Sequence, residues 1–276
     1  DWNVASRLVS LHGGQRFTGS PTTQERIRDL GRRFPEGGAA ITGFAAAEPE
    51  ARPTPVGQDS ERMVNRARIA VDMLERGHDS LDHFLDGSVD PTSIVGIDSE
   101  PAAPGRADEF GDIFVRPTYA ILLKALALKL CGGESERMVD DYRFWLRAEL
   151  EYRPTREVWL GMLLLAGSSK GCSLVENMLK LGKVVSPEQR FKDLWGAAWD
   201  ITYTRLVAFS ADRSMWPELP RPFVFVTDDA KLYEAFEEVA LVGTTRTASG
   251  VLAGMDHLPF EGLVDESLQD AVESAM

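Results

Sequence analysis

Late in the chain four consecutive apolar, mostly β-forming residues, 223–226 (FVFV), run straight into Thr227, Asp228 and Asp229. Helical patterns flank this run on both sides. Before it, Ser186 is placed to cap a helix, with Pro187 at the first helical position and Gln189 spaced to reach back to the cap. That helix continues through RFKDLWGAAWDITYTRLVAF, and after the strand AKLYEAFEEVAL reads as a helix again. Helix, strand, acidic turn and helix in succession predict an α/β fold. In such folds ligands bind beyond the carboxyl ends of the strands, which is where Thr227, Asp228 and Asp229 stand.

The rest of the chain is mostly helical in pattern. DWNVASRLVSL opens it with Asp1 and Asn3 ahead of a helix through Val4, Leu8 and Leu11. Thr22 and Glu25 have capping-box spacing, and Ile27, Leu30 and Phe34 recur at helical intervals. The opposite face carries Arg26, Arg28, Arg32 and Arg33. A small-residue segment closes on prolines 49, 53 and 55, and a polar helix is expected over 60–85. Residues 86–114 read mostly as loop. Three helical segments follow, RPTYAILLKALALKL, ESERMVDDYRFWLRAEL and TREVWLGMLLLAG, with no linker to set them apart from what comes next. GSSKG at 167–171 lacks the spacing of a phosphate loop and reads as a turn. The apolar run 119–130, with Trp145, Trp159 and 163–165, suits a core better than an interface.

Composition removes several classes of function. The longest apolar stretch, YAILLKALALKL, is interrupted by Lys124 and Lys129, so no membrane span is expected, and no signal peptide is read at the start. Two cysteines, Cys131 and Cys172, make neither a disulfide framework nor a zinc site, and suit a reducing cytoplasm. His12, His78, His83 and His257 are scattered. A net charge of −13 argues against a broad basic surface that wraps nucleic acid.

Acids are what the chain has in quantity. On the helix after Ser186, Asp193, Ala197, Asp200 and Thr204 share one face beside the apolar stripe of Phe191, Leu194, Ala198 and Ile201. Glu48, or Glu50 beside it, ends the Ala-rich segment. Each acid has a plain alternative: Asp193 and Asp200 as a solvated face, one of Asp228 and Asp229 as a helix cap, Glu48 as a helix-end residue before Pro49. Gathered in one cleft, these carboxylates would repel one another unless a divalent cation neutralised them. Oxygen ligands are what Mg²⁺ and Mn²⁺ prefer, and such an ion activates water and stabilises charge on a phosphodiester.

DWNVASRL resembles the opening acidic motif of PIN-domain nucleases. KDLWGAAWDI is similar to the family's third motif, an Asp with Ala-Ala following, and FVFVTDDAKLY to the closing motif of strand, Thr, any residue and Asp. The resemblance implies a PIN-like three-layer fold, a central mostly parallel sheet flanked by helices, as one domain over 1–276 with a helical insertion at about 117–180. It implies Asp1, Asp193 and Asp229 as metal ligands, with Glu48 matching the second, glutamate motif by position. Asn3, Asp200, Thr227 and Asp228 would support them, and Asp200 competes with Asp193 for the third-motif role. The activity implied is a Mg²⁺- or Mn²⁺-dependent endoribonuclease, often a toxin held by an inhibitory, antitoxin-like protein. RNA phosphates would meet Arg26, Arg28, Arg32 and Arg33, whose plainer role is a solvated helix face. Two other readings stand beside it: a flap-cutting DNA nuclease, and a non-catalytic helical interaction module with a vestigial acidic site. A homo-oligomer is compatible with any of the three.

Overall fold

The computed structural model describes residues 114–150, 154–211, 229–236, 240–246, 252–257 and 262–273, together with Gln24, Glu25, Arg28, Asp29, Arg32 and Leu85. By contact the chain separates into two units, Asp1–Gly111 with Val226–Asp228, and Asp112–Phe225 with Asp229–Met276. Almost all described residues belong to the second unit. In the first, Gln24, Glu25, Arg28, Asp29, Arg32 and Leu85 are helical.

The second unit is built from helices: α1 (Arg116–Cys131), α2 (Ser135–Glu149), α3 (Thr155–Ala166), α4 (Ser169–Met178), α5 (Pro187–Ala211) and α6 (Ala230–Phe236). Strands β1 (Ala240–Arg246) and β2 (Leu252–His257) follow, then a short 3₁₀ turn, Glu266–Leu268, and α7 (Gln269–Glu273). The expected three-layer α/β fold with a central, mostly parallel sheet is therefore corrected. Among the described residues the architecture is helical, and the sole sheet is the antiparallel β1–β2 pair, with a bulge between Leu241 and Gly243. The physical reason lies in 116–211, where apolar residues recur at helical rather than alternating spacing and close a core by helix-on-helix packing. The 223–226 run behind the α/β expectation lies outside the described residues.

α3 is the centre of the assembly. Every residue from Arg156 to Ala166 is buried, as expected of a helix with neighbours on all sides. α1, α2 and α4 pack against it, and α5 packs on α1. The segments read as an inserted helical block thus share their core with α5. Trp159, Leu160, Met162 and Leu163 are fully enclosed, alongside Ile121, Tyr142, Leu146 and Trp199. Trp159 and 163–165 are core, as their pattern suggested.

Three local readings change. GSSKG is not a plain turn: Ser168 caps α4, its hydroxyl accepting from the Gly171 amide at 3.3 Å. The same corner is latched by residues 262–265. Ser168 N donates to Leu263 O at 2.9 Å, Ser168 Oγ to Gly262 O at 2.8 Å, and Asp265 N to Ala166 O at 3.1 Å. The helix expected over 230–241 stops at Phe236, and Ala240 already begins β1. Phe191, assigned to the apolar stripe of α5, is 49% exposed, whereas Leu194, Ala198 and Ile201 of that stripe are fully buried.

Gly161 sets how closely α2 approaches α3. A Cβ there would collide with the Tyr142 phenol ring and hydroxyl. Gly161→Ala should therefore destabilise by about 1–3 kcal/mol through overpacking, against a helix-propensity gain of up to about 1 kcal/mol; urea unfolding monitored by tryptophan fluorescence measures the balance. The Tyr142 hydroxyl is buried and has no hydrogen-bond partner among the described residues. Tyr142→Phe should therefore leave stability unchanged or raise it, since it removes a desolvated donor without breaking a bond.

Candidate functional site

Of the acids singled out in the sequence, the described residues contain Asp193, Asp200 and Asp229. Asp1, Asn3, Glu48, Thr227 and Asp228 lie outside them, as do Arg26 and Arg33. Arg28 is half-buried and Arg32 exposed, both on helical backbone.

Beyond the exposed first turns of α5, Asp193 and Asp200 occupy a half-exposed stripe. Along this helix Leu194, Trp195, Ala197, Ala198, Trp199, Ile201, Thr202, Tyr203 and Arg205 are all buried. The half-exposed positions are Arg190, Asp193, Gly196, Asp200, Thr204 and Val207, a single face by helical spacing. The two acids do share a face, as expected. Ala197 between them is buried, 8% exposed. Asp193 Oδ1 accepts from Gln189 Nε2 at 2.7 Å. Gln189 thus reaches forward along the helix, while its backbone amide donates to Ser186 Oγ at 3.2 Å.

Asp229 caps α6. Its Oδ1 accepts from the amides of Lys231 at 2.9 Å and Leu232 at 3.2 Å, the usual service of an N-cap carboxylate. Its Oδ2 faces Lys180 Nζ at 4.0 Å, longer than a hydrogen-bonded ion pair. Lys180 follows α4 with φ of 57°, a left-handed backbone that costs a non-glycine residue roughly 1 kcal/mol or more. Arg190 holds it there, donating to the carbonyls of Lys180 at 2.8 Å, Leu181 at 3.3 Å and Lys183 at 2.6 Å. The 180–183 turn therefore ties the first turns of α5, with Asp193, to the cap of α6, with Asp229. These carboxylates are hard oxygen donors of the kind Mg²⁺ and Mn²⁺ take. Among the described residues, no three or more acids, histidines or cysteines form a group able to hold a metal.

A second polar cluster is one that the sequence pattern does not announce. Glu157 on α3 is fully buried, and its Oε1 meets Arg205 Nη1 of α5 at 2.9 Å. Thr118 of α1 donates to the same oxygen at 2.7 Å, with the Phe114 carbonyl 3.0 Å away as its other acceptor within reach. Arg205 Nη2 also donates to Phe114 O at 3.2 Å, and its guanidinium lies 5.7 Å from the centre of the Phe114 ring. One residue earlier on both helices, Arg156 Nη1 donates to Thr204 Oγ1 at 3.3 Å. Burial pushes the Tyr142 phenol far above its ordinary range, and the nearby Glu157 charge adds to the shift, so the ring stays neutral. The one available signal is Arg-Glu inside an otherwise apolar helix. It is a structural cluster in which the buried Glu157, Thr118 and Arg205 are bonded across three helices, with Glu157 Oε2 left without a hydrogen-bond partner among the described residues.

The two clusters answer differently to substitution. Glu157→Ala leaves Arg205 buried without its carboxylate and should cost about 3–5 kcal/mol, while Glu157→Met with Arg205→Met should recover most of it; urea midpoints of the three proteins decide. Asp229→Ala removes a cap and should cost about 1 kcal/mol, whereas Asp229→Asn keeps a good capping side chain and should cost little; thermal melts of both variants check this.

Comparison with protein-family models, with characterised proteins and with solved structures finds no match to this chain.

Proposed function

We propose that the chain is a divalent-metal-dependent endoribonuclease that hydrolyses RNA phosphodiester bonds through carboxylates including Asp193 and Asp229. One observation supports this most: the 180–183 turn is bonded by Arg190, about one turn of α5 before Asp193, and its Lys180 approaches Asp229 at 4.0 Å, each acid coming from a motif that resembles those of metal-dependent nucleases. Each commits one oxygen to a donor of its own helix. The donor chemistry suits Mg²⁺ or Mn²⁺, and Asp200 lies two turns beyond Asp193 on the same half-exposed stripe. A bound divalent ion would supply an activated water and neutralise charge on the phosphodiester. The protein's own part is to hold the carboxylates on a helix pinned in the core, so that they need not be ordered when substrate arrives. The proposal does not require the sheet that the PIN resemblance implied. RNA as substrate and an antitoxin-like inhibitory partner belong to it.

Labelled single-stranded RNA and DNA incubated side by side with Mn²⁺ should show RNA cleavage that EDTA stops. Asp229→Asn, which preserves the cap, and Asp1→Asn should each abolish it. Full cleavage by both variants would reject the assignment, and cleavage of DNA alone would move it to the flap-cutting reading. Millimolar Mn²⁺ should raise the melting temperature of the native chain, because an ion bound only by the folded state stabilises it.

A second reading, a non-catalytic interaction module, draws support from Leu130 at 76% and Phe144 at 75% exposure on α1 and α2. It requires no cleavage and no thermal response to Mn²⁺.

A further inference from the structure

Helix α1 is apolar on every side, a composition that belongs to a helix with neighbours all round, yet one of its faces stands open. Its inner face, with Thr118, Ile121, Leu122, Ala125 and Leu126, is buried, and α1 packs on α3 and α5. On the opposite side Ala120 and Leu123 are half-exposed, and Ala127, Leu130 and Cys131 are exposed. Arg116, Ala120, Leu123, Ala127 and Leu130 follow one another at intervals of four, three, four and three residues. That spacing is the seam of a helix that packs along another helix.

The charges of α1 turn away from this seam. The helix contains no acid, and beyond Arg116 its only cations are Lys124 and Lys129. Lys124 Nζ lies 5.9 Å from the centre of the Trp145 ring on α2, and Lys129 Nζ donates to Cys172 Sγ on α4 at 3.9 Å. Both lysines are thus directed to the protein's own helices, and the seam from Ala120 to Leu130 is uncharged. The exposed face of α2 is the contrast. There Phe144 stands by helical spacing among Arg137, Asp140, Asp141 and Arg147, all exposed, a single surface ring of the kind that needs no partner.

We propose that the open face of α1 docks a second copy of the chain, the two α1 helices packing antiparallel about a two-fold axis near Leu123. The seam complements itself in size. The two-fold sets Ala120 opposite Ala127 of the partner subunit and Ala127 opposite the partner's Ala120, so small residues meet on both sides of the axis and the helices approach to about 8 Å. Leu123 packs on the partner's Leu123. It also complements itself in charge. The exposed Arg116 comes to the end where Glu134 and Glu136 of the partner subunit are exposed, and the helix dipoles run in opposite senses. Over most of their surface two copies of a chain of net charge −13 repel; α1 adds no acid to that repulsion. The seam is about 15 Å long and about 10 Å wide, well short of the roughly 800 Å² per partner of a standard interface. The dimer is therefore weak and concentration-dependent. It is helped by a helix already fixed in the core, which need not be ordered on association.

The test is sedimentation equilibrium of the full chain from about 10 μM to 1 mM, a range that brackets weak association. The mean mass of the parent should rise from that of one chain toward that of two. Ala127→Glu buries a charge in the seam and should weaken association at least about tenfold. Position 127 is exposed and Glu is a good helix former, so circular dichroism and melting should match the parent. Phe144→Glu, on α2 and off the seam, should dimerise like the parent. In a Cys131→Ser/Cys172→Ser background, Ala120→Cys/Ala127→Cys should cross-link into dimers on mild oxidation, whereas Ala127→Cys alone should not.

A parent that keeps the mass of one chain over the whole range leaves the seam to a different protein and overturns the proposal. So does parent-like association of Ala127→Glu, or association lost only in Phe144→Glu. Efficient cross-linking of Ala127→Cys to itself means parallel helices and overturns the antiparallel two-fold. The nuclease reading stands or falls separately, since its cleavage assay does not depend on the mass of the chain in solution.

Discussion

Glu157 has no surface in water, and a carboxylate so placed is tolerable only if its charge is met within bonding distance. Arg205 and Thr118 meet it, and because they come from α5 and α1, the requirement fixes three helices relative to one another. Apolar packing alone tolerates small slides of one helix on its neighbour. A bonded, buried charge pair does not, because a shift of one turn would strand two ions in a low-dielectric interior. The Arg156–Thr204 bond one position earlier repeats the same register.

Registry at this point decides what α5 can offer elsewhere. With Leu194, Ala198, Trp199 and Ile201 turned inward, the helix beyond its exposed first turns keeps a half-exposed stripe on which charge is cheap, and Asp193 and Asp200 stand on it. That placement is what burial alone would select, so the stripe is compatible with a solvated face and with a metal-binding one. What distinguishes this end of α5 is the 180–183 turn. Arg190 commits its guanidinium to backbone carbonyls there rather than to an acid, and holds Lys180 in a left-handed conformation beside Asp229.

The helices α1 to α3 and the start of α5 are legible in the sequence because their signals are local. Apolar residues recur at helical spacing, Ser186 and Pro187 mark a start, and glycines mark ends. The sheet expectation fails because it extends a single strand-like run to a whole architecture, although helix packing closes the core of 116–211 without it. The hairpin is hidden because its first strand continues directly from a helical pattern, and AKLYEAFEEVAL carries no breaker before Ala240. A cap is one of the two roles open to Asp229 from its position alone, and the shared face of Asp193 and Asp200 follows from their spacing. Glu157 and Arg205 give no such sign, since their partnership spans 48 positions and leaves no periodic trace.

The latch at the α3–α4 corner has a consequence for how the protein is made. Ser168 bonds to Gly262, 94 positions later, and the Gly171 backbone is shaped to lie against Leu263. At about 5–20 residues per second of translation, the corner waits roughly 5–20 s for its strap after its own residues are polymerised. During that interval the amide of Ser168 and the carbonyl of Ala166 lack the partners that Leu263 and Asp265 supply, and the small face of Gly171 is not covered by Leu263. A nascent chain paused in that window is a natural client for a chaperone.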